Sequence, residues 1–248
     1  MVRTLLKRGA VTGVAVIGIE AAYAVLRPSP ELESFDPTAE FGRPTDPALR
    51  VAVLGDSSVT APGVSGPDEI WVSLVCERLA ADRHVMLQSF AVGGSMAHDV
   101  IADQLEYAID SRPDLVFLSV GANDVIKGVP RSRFAVNLDH LVSELAATGA
   151  TVVQSGVGVM GSVPRLYPPL STLMSRRAER FDEVHWEVAA IHGTHVVDQR
   201  SDDTEVWFRD RSLWAEDLFH VSAAGHARWA ETAWRTVGPL FDRPGGPA

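Results

Sequence analysis

Short apolar runs recur along this chain from about residue 50 onward, separated by longer amphipathic stretches. The runs Val51 to Leu54, Val85 to Val92, Leu115 to Val120, Thr151 to Gln154 and Thr194 to Val197 are rich in Val and Leu. That composition predicts strands buried on both faces. Between them, apolar positions return at helical spacing around Trp71 to Ala81, His98 to Ile109, Phe134 to Ala147 and Thr172 to Ala190. A last helix is expected from Ala223 to Val237, with Ser222 as its N-cap. Strands alternating with helices predict an α/β fold, a parallel sheet with helices on both faces.

Residues 27–48 are rich in Pro, Glu and Asp and show no sustained apolar period, which predicts a linker. The folded domain is expected over residues 49–242, with 243–248 as a tail. Ahead of the linker, Arg3, Lys7 and Arg8 precede an apolar stretch from Gly9 to Ile19, the order of charge and hydrophobicity found in export signals. Ala22-Tyr23-Ala24 offers a small-x-small cleavage site. Residues 1–26 are therefore expected to be a signal peptide or an N-terminal membrane anchor, and either implies export to the cell envelope or beyond. Glu20 weighs against a membrane span, because an acidic group at a helix centre costs on the order of 2.5–3.5 kcal/mol on insertion.

Composition narrows the partners. With 248 residues, 46% hydrophobic and 22% charged, the chain suits one globular domain plus extensions. A formal charge of −10, with Lys7 and Lys127 as the only lysines, argues against a nucleic-acid partner, since phosphate backbones are bound by clustered cations. Cys76 is the sole cysteine, which excludes an intrachain disulfide and a cysteine-based zinc site. His185, His192 and His195 lack the partner residues of a metal motif, and no metal or organic cofactor is expected. His84, His98, His140 and His226 read as surface or helix-end residues.

In a parallel α/β sheet, ligands bind at the carboxyl ends of the strands. Gly55-Asp56-Ser57 follows the first run, Gly93-Gly94 the second and Gly121-Ala122-Asn123-Asp124 the third, while Asp217 and His220 precede the last helix. Together these blocks hold the parts of an acyl-transfer site. A serine hydroxyl needs a base to remove its proton, which casts Ser57 as nucleophile and His220 as base. Asp217, three residues before His220, can accept the Nδ1 proton and fix the tautomer. The backbone N–H groups of Ser57 and Gly94 and the Asn123 side chain are candidate donors to a developing oxyanion. Gly93-Gly94-Ser95-Met96-Ala97 approaches the Gly-x-Ser-x-Gly elbow of another hydrolase class, which makes Ser95 a rival nucleophile. It leaves the first and third blocks unexplained. Each block alone also fits an ordinary turn or cap. Trp207, Phe208, Trp214 and Phe219 could line an acyl pocket or serve as plain core.

The four blocks in this order resemble the GDSL-type, or SGNH, esterase and lipase superfamily, over roughly Arg50 to Leu240. The resemblance implies a three-layer α/β/α sandwich on a five-stranded parallel sheet, like that of flavodoxin. It also implies catalytic roles for Ser57, Asp217 and His220, and an oxyanion hole from Ser57, Gly94 and Asn123. Ser89 stands where the family commonly has asparagine, a departure in the second block. The expected activity is cleavage of carboxylic esters of small molecules, lipids or glycans through an acyl-enzyme. An acyltransferase with the same residues and a non-catalytic envelope-binding domain are the alternatives.

Overall fold

The structure is a computed structural model, described for residues 18, 20–23, 26–201 and 204–241. A sheet of six strands runs through it, in the order β1-β3-β2-β4-β5-β6. These are β1 (Ala39–Phe41), β2 (Ala48–Gly55), β3 (His84–Ser89), β4 (Leu115–Ser119), β5 (Thr151–Ser155) and β6 (His195–Val197). The helices, in chain order, are α1 (Ser57–Thr60), α2 (Trp71–Leu79), α3 (Ala97–Asp103), α4 (Leu105–Asp110), α5 (Ala122–Ile126), α6 (Arg131–Ala147), α7 (Leu170–His192), α8 (Glu205–Arg209) and α9 (Ala223–Phe241).

Side-chain alternation along the strands sorts the core into two halves. Ala52 and Leu54 of β2, with Val116 and Leu118 of β4, face α3, α4, α6 and α7, where Phe134, Leu138, Phe181 and Val184 pack. Val51 and Val53, with Leu115 and Phe117, face α2 and α9, against Trp71, Val75, Leu79, Ala233 and Val237. Both faces of the sheet are therefore covered, the condition under which a parallel sheet persists. The three-layer α/β/α sandwich is as expected.

The strand count is not. Five strands, β3-β2-β4-β5-β6, are parallel, and β1 adds an antiparallel edge through Ala39↔Leu87 and Phe41↔Val85. This edge lies in residues 27–48, which the sequence reads as a linker. Phe35 and Phe41 pack against the α2 side of the core. Thr38 Oγ1 accepts the Ser89 N–H at 3.0 Å. A three-residue strand carries no readable period, and its pairing partner lies more than forty residues away.

The helix expected from His98 to Ile109 is two, broken at Gln104, whose side chain turns inward to the end of β2. At α9, Ser222 Oγ accepts the Gly225 N–H at 3.4 Å, the capping role expected of it. The export or anchor segment falls mostly on residues outside those described. Of the part that is described, Glu20 Oε2 accepts the Leu170 N–H at 3.0 Å, and the Tyr23 ring lies 6.4 Å from that of Tyr167. No helix among the described residues is long and apolar enough to cross a membrane.

Candidate active site

The parallel strands follow the order β3-β2-β4-β5-β6, so the chain reverses direction across the sheet between β2 and β4. A crevice opens at the carboxyl ends of the strands at such a switch point. The turns after β2 and β4 flank it here, and they carry Ser57 and Asn123. Ser57 is the first residue of α1. Asp56 caps that helix, its Oδ1 accepting the Ser58 N–H at 2.9 Å. Gly55, at φ 155°, lies where an added Cβ would come within 2.2 Å of the Ser119 carbonyl, so this crossing of β2 and β4 admits only glycine.

Ser57, Asn123 and His220 line one pocket, together with Ser58, Val157, Met160 and Trp229. Behind His220, the buried Asp217 carboxylate accepts His220 Nδ1–H at 2.6 Å through Oδ2. Its Oδ1 accepts the backbone N–H groups of Phe219 and His220, each at 2.9 Å. Burial by itself would raise the proton affinity of Asp217, yet the hydrogen bonds from His220 and the two amides outweigh it and hold the carboxyl below its ordinary value. The turn that allows this is tight. Leu218 sits at φ 61°, and a bridge between Trp214 and Val221 closes the loop around it. Arg165 donates to the Asp217 carbonyl at 2.9 Å, which ties the loop to the segment before α7.

With Nδ1 engaged, His220 has Nε2 for the pocket. Among the described residues no hydrogen bond joins it to Ser57 in this ligand-free state, where such bonds are commonly long.

The oxyanion donors expected from the sequence are placed differently from one another. Ser57 N–H has no acceptor among the described residues, as befits the first turn of a helix. Asn123 lines the pocket, but its amide already donates to Asp56 Oδ2 at 3.0 Å and to the Ser95 carbonyl at 3.1 Å. Gly94 is exposed at φ 83°, and its carbonyl accepts Lys127 Nζ at 3.0 Å. It is not among the residues that line the pocket. The rival Ser95 is only 6% exposed, and its Oγ meets Gln104 Nε2 at 3.2 Å rather than the pocket.

Asp56 is buried, and desolvation raises its proton affinity against the opposing bonds from Ser58 and Asn123 and the nearby His220. It is a positioning group, holding α1 and Asn123 together. Two further side chains, Gln104 and His226, complete the site. Gln104, fully buried, accepts the Gly55 N–H through Oε1 and donates to the Gly55 carbonyl through Nε2, each at 2.9 Å. An amide within a helical stretch carries no mark of such a task. His226, expected at a surface or helix end, is 1% exposed and lines the pocket. Its burial follows from the packing of α9 on α2, which no local pattern reports. Trp207, Trp214 and Phe219 line the pocket, whereas Phe208 is 56% exposed.

The chain is similar in sequence and in fold to known ester hydrolases. Residues 53–228 match the model of the GDSL-like lipase/acylhydrolase family. The chain is 26% identical over 200 residues to esterase TesA of Pseudomonas aeruginosa, covering 78% of this chain and 90% of that protein. It is 28% identical over 120 residues to an arylesterase of Vibrio mimicus, covering 48% and 59%. A crystal structure of TesA superposes with a TM-score of 0.64 at 25% identity, over 77% of this chain and 98% of the other. The acetylxylan esterase Axe2 of Geobacillus stearothermophilus shares the fold, with a TM-score of 0.63 at 20% identity over 81% and 99%. The chain therefore belongs to the GDSL-like lipase/acylhydrolase family and is an ester hydrolase.

Proposed function

We propose that this protein cleaves carboxylic esters through an acyl-enzyme on Ser57. The observation that carries the reading is the 2.6 Å Asp217–His220 hydrogen bond behind a histidine that shares a pocket with Ser57. Ser57 Oγ attacks the ester carbonyl carbon as His220 Nε2 takes its proton. The tetrahedral adduct collapses with loss of the alcohol, which leaves carrying the proton from His220. Water then attacks the acyl-enzyme, giving one proton to His220, which returns it to Ser57 Oγ as the acid departs.

Asp217 holds the imidazole in the tautomer this cycle needs and offsets the charge it gains. The Ser57 amide supports the oxyanion directly. Asn123 joins it by sharing an N–H that now goes to Asp56 or Ser95, and Gly94 by the resemblance of its block to that of the family. The basic and then apolar order of residues 1–26 supports export, with the folded domain acting beyond the cytoplasm.

Labelling with a fluorophosphonate tests the nucleophile. The wild type and Ser95→Ala are expected to be labelled and Ser57→Ala not, each folded by circular dichroism. Loss of label only in Ser95→Ala would transfer the role to that residue. A folded wild type that takes no label would end the acyl-enzyme reading.

A further inference from the structure

His226 presents an unusual buried group. Its Nδ1 accepts the Trp71 backbone N–H at 3.3 Å, from the first turn of α2, where helix amides lack internal partners. That bond requires Nδ1 to be bare, so a neutral ring carries its proton on Nε2. The ring is neutral. Burial, aided by His220 nearby, lowers its pKa to about 3. The Nε2–H has no acceptor among the described residues, although the side chain is 1% exposed and lines the pocket. Nε2 is not among the sealed polar atoms left without a partner, so the little exposure the ring has falls at this donor and opens it to the pocket, where an acceptor on an occupant can meet it.

The surroundings say what kind of occupant fits. Trp229 meets the His226 ring edge to face at 5.2 Å, and Trp71, Trp207 and Trp214 line the pocket with it. Flat aromatic walls with a single fixed donor suit a moiety with both C–H faces and oxygens. His226 also lies on the His220 flank, six residues along the same segment. His220 is the group that hands its proton to the leaving alcohol, so this arm of the pocket adjoins the alcohol. The loop from Ser155 to Met160 lines the same pocket and is left for the acyl chain.

We propose that the His226 arm is a subsite for a hydroxylated alcohol moiety, with Nε2–H donating to a hydroxyl oxygen of a polyol ester. The assignment rests on the Ser57 acyl-enzyme reading for which side is which.

Two esters that differ only in the alcohol test it, 2,3-dihydroxypropyl butyrate and propyl butyrate. Binding is measured to Ser57→Ala, with and without His226→Asn, whose Oδ1 can still accept the Trp71 N–H. The dihydroxypropyl ester is expected to bind roughly five- to tenfold more tightly, the value of one neutral hydrogen bond. His226→Asn should bring that ratio close to one. The ¹⁵N resonance of His226 Nε2 in Ser57→Ala, which needs no second variant, should move with the dihydroxypropyl ester alone. Equal binding of the two esters, an unchanged ratio in His226→Asn, or the same resonance shift with both would overturn the subsite. Continued turnover of either ester by Ser57→Ala would instead overturn the Ser57 reading and leave the binding ratio to be judged separately.

Discussion

Asp217 and His220 illustrate how a single side chain is made to serve chemistry. Three donors converge on one carboxylate, so its negative charge is held against the His220 ring. Asp217→Asn preserves the shape but presents an amide N–H to Nδ1 or loses the acceptor, which favours the wrong tautomer. The expected loss in kcat is about 10³–10⁴-fold. A change of less than tenfold on a fixed ester would remove Asp217 from the role. Asn123→Ala should lower kcat by roughly 10²–10³-fold if its amide supports the oxyanion. Because Asn123 also binds Asp56 and the Ser95 carbonyl, thermal unfolding of the variant separates a lost donor from a loosened turn. At this scale the sequence is informative about identity. Ser57, Asp217 and His220 stand out because their types and order imply a reaction. Whether Gly94 faces the pocket depends on the path of an exposed turn, which residue types do not record.

The elements position these residues through bonds that helical or strand periodicity does not reveal. Gln104 sits where one amphipathic helix was expected, and its side chain pairs with both backbone groups of Gly55 instead of pointing to solvent. It fixes the end of β2 two residues before Ser57. Gln104→Leu leaves the buried Gly55 N–H unpaired, at about 1–3 kcal/mol, while the Gly55 carbonyl keeps the Val92 N–H at 3.1 Å. Urea unfolding should show that loss, and kcat should fall more than KM rises, because the turn bearing Ser57 shifts while the pocket walls stay. Unaltered stability with unaltered kcat would show that the end of β2 holds its shape without this clamp. The edge strand β1 teaches a related point. Phe35 and Phe41 are spaced too widely to signal burial; the open side of β3 places Phe41, while Phe35 is held by its N–H to the Thr60 carbonyl at 2.8 Å.

Across the whole molecule, burial makes pH a structural variable. His185 lies fully buried between Gln154 and the Val120 carbonyl, and desolvation lowers its pKa to about 4. In the unfolded chain a histidine titrates near 6.5, so from about 6.5 down to about 4 the unfolded state takes up a proton that the folded state does not. Stability from this site is therefore fully present above the unfolded value and is lost as pH falls through that window. Replacing His185 with Phe should flatten that part of the stability–pH curve, read as urea midpoints at successive pH values. A difference between the two proteins that is constant across the window would show that His185 does not titrate with unfolding.

The amino-acid order by itself determined the alternation of strands and helices, the parallel sheet, and the chemistry at the strand ends, because periodicity and turn preference act between near neighbours. It also singled out Ser57, Asp217 and His220 as candidate nucleophile, acid and base. Only the tertiary structure decided that residues 39–41 complete the sheet, that Gln104 clamps Gly55, that Ser95 is buried away from the pocket, and that His226 lines it. Each of those facts is a meeting of residues distant along the chain. Edge pairing and exclusion of water arise only when such residues are packed together, so they leave no local pattern to read.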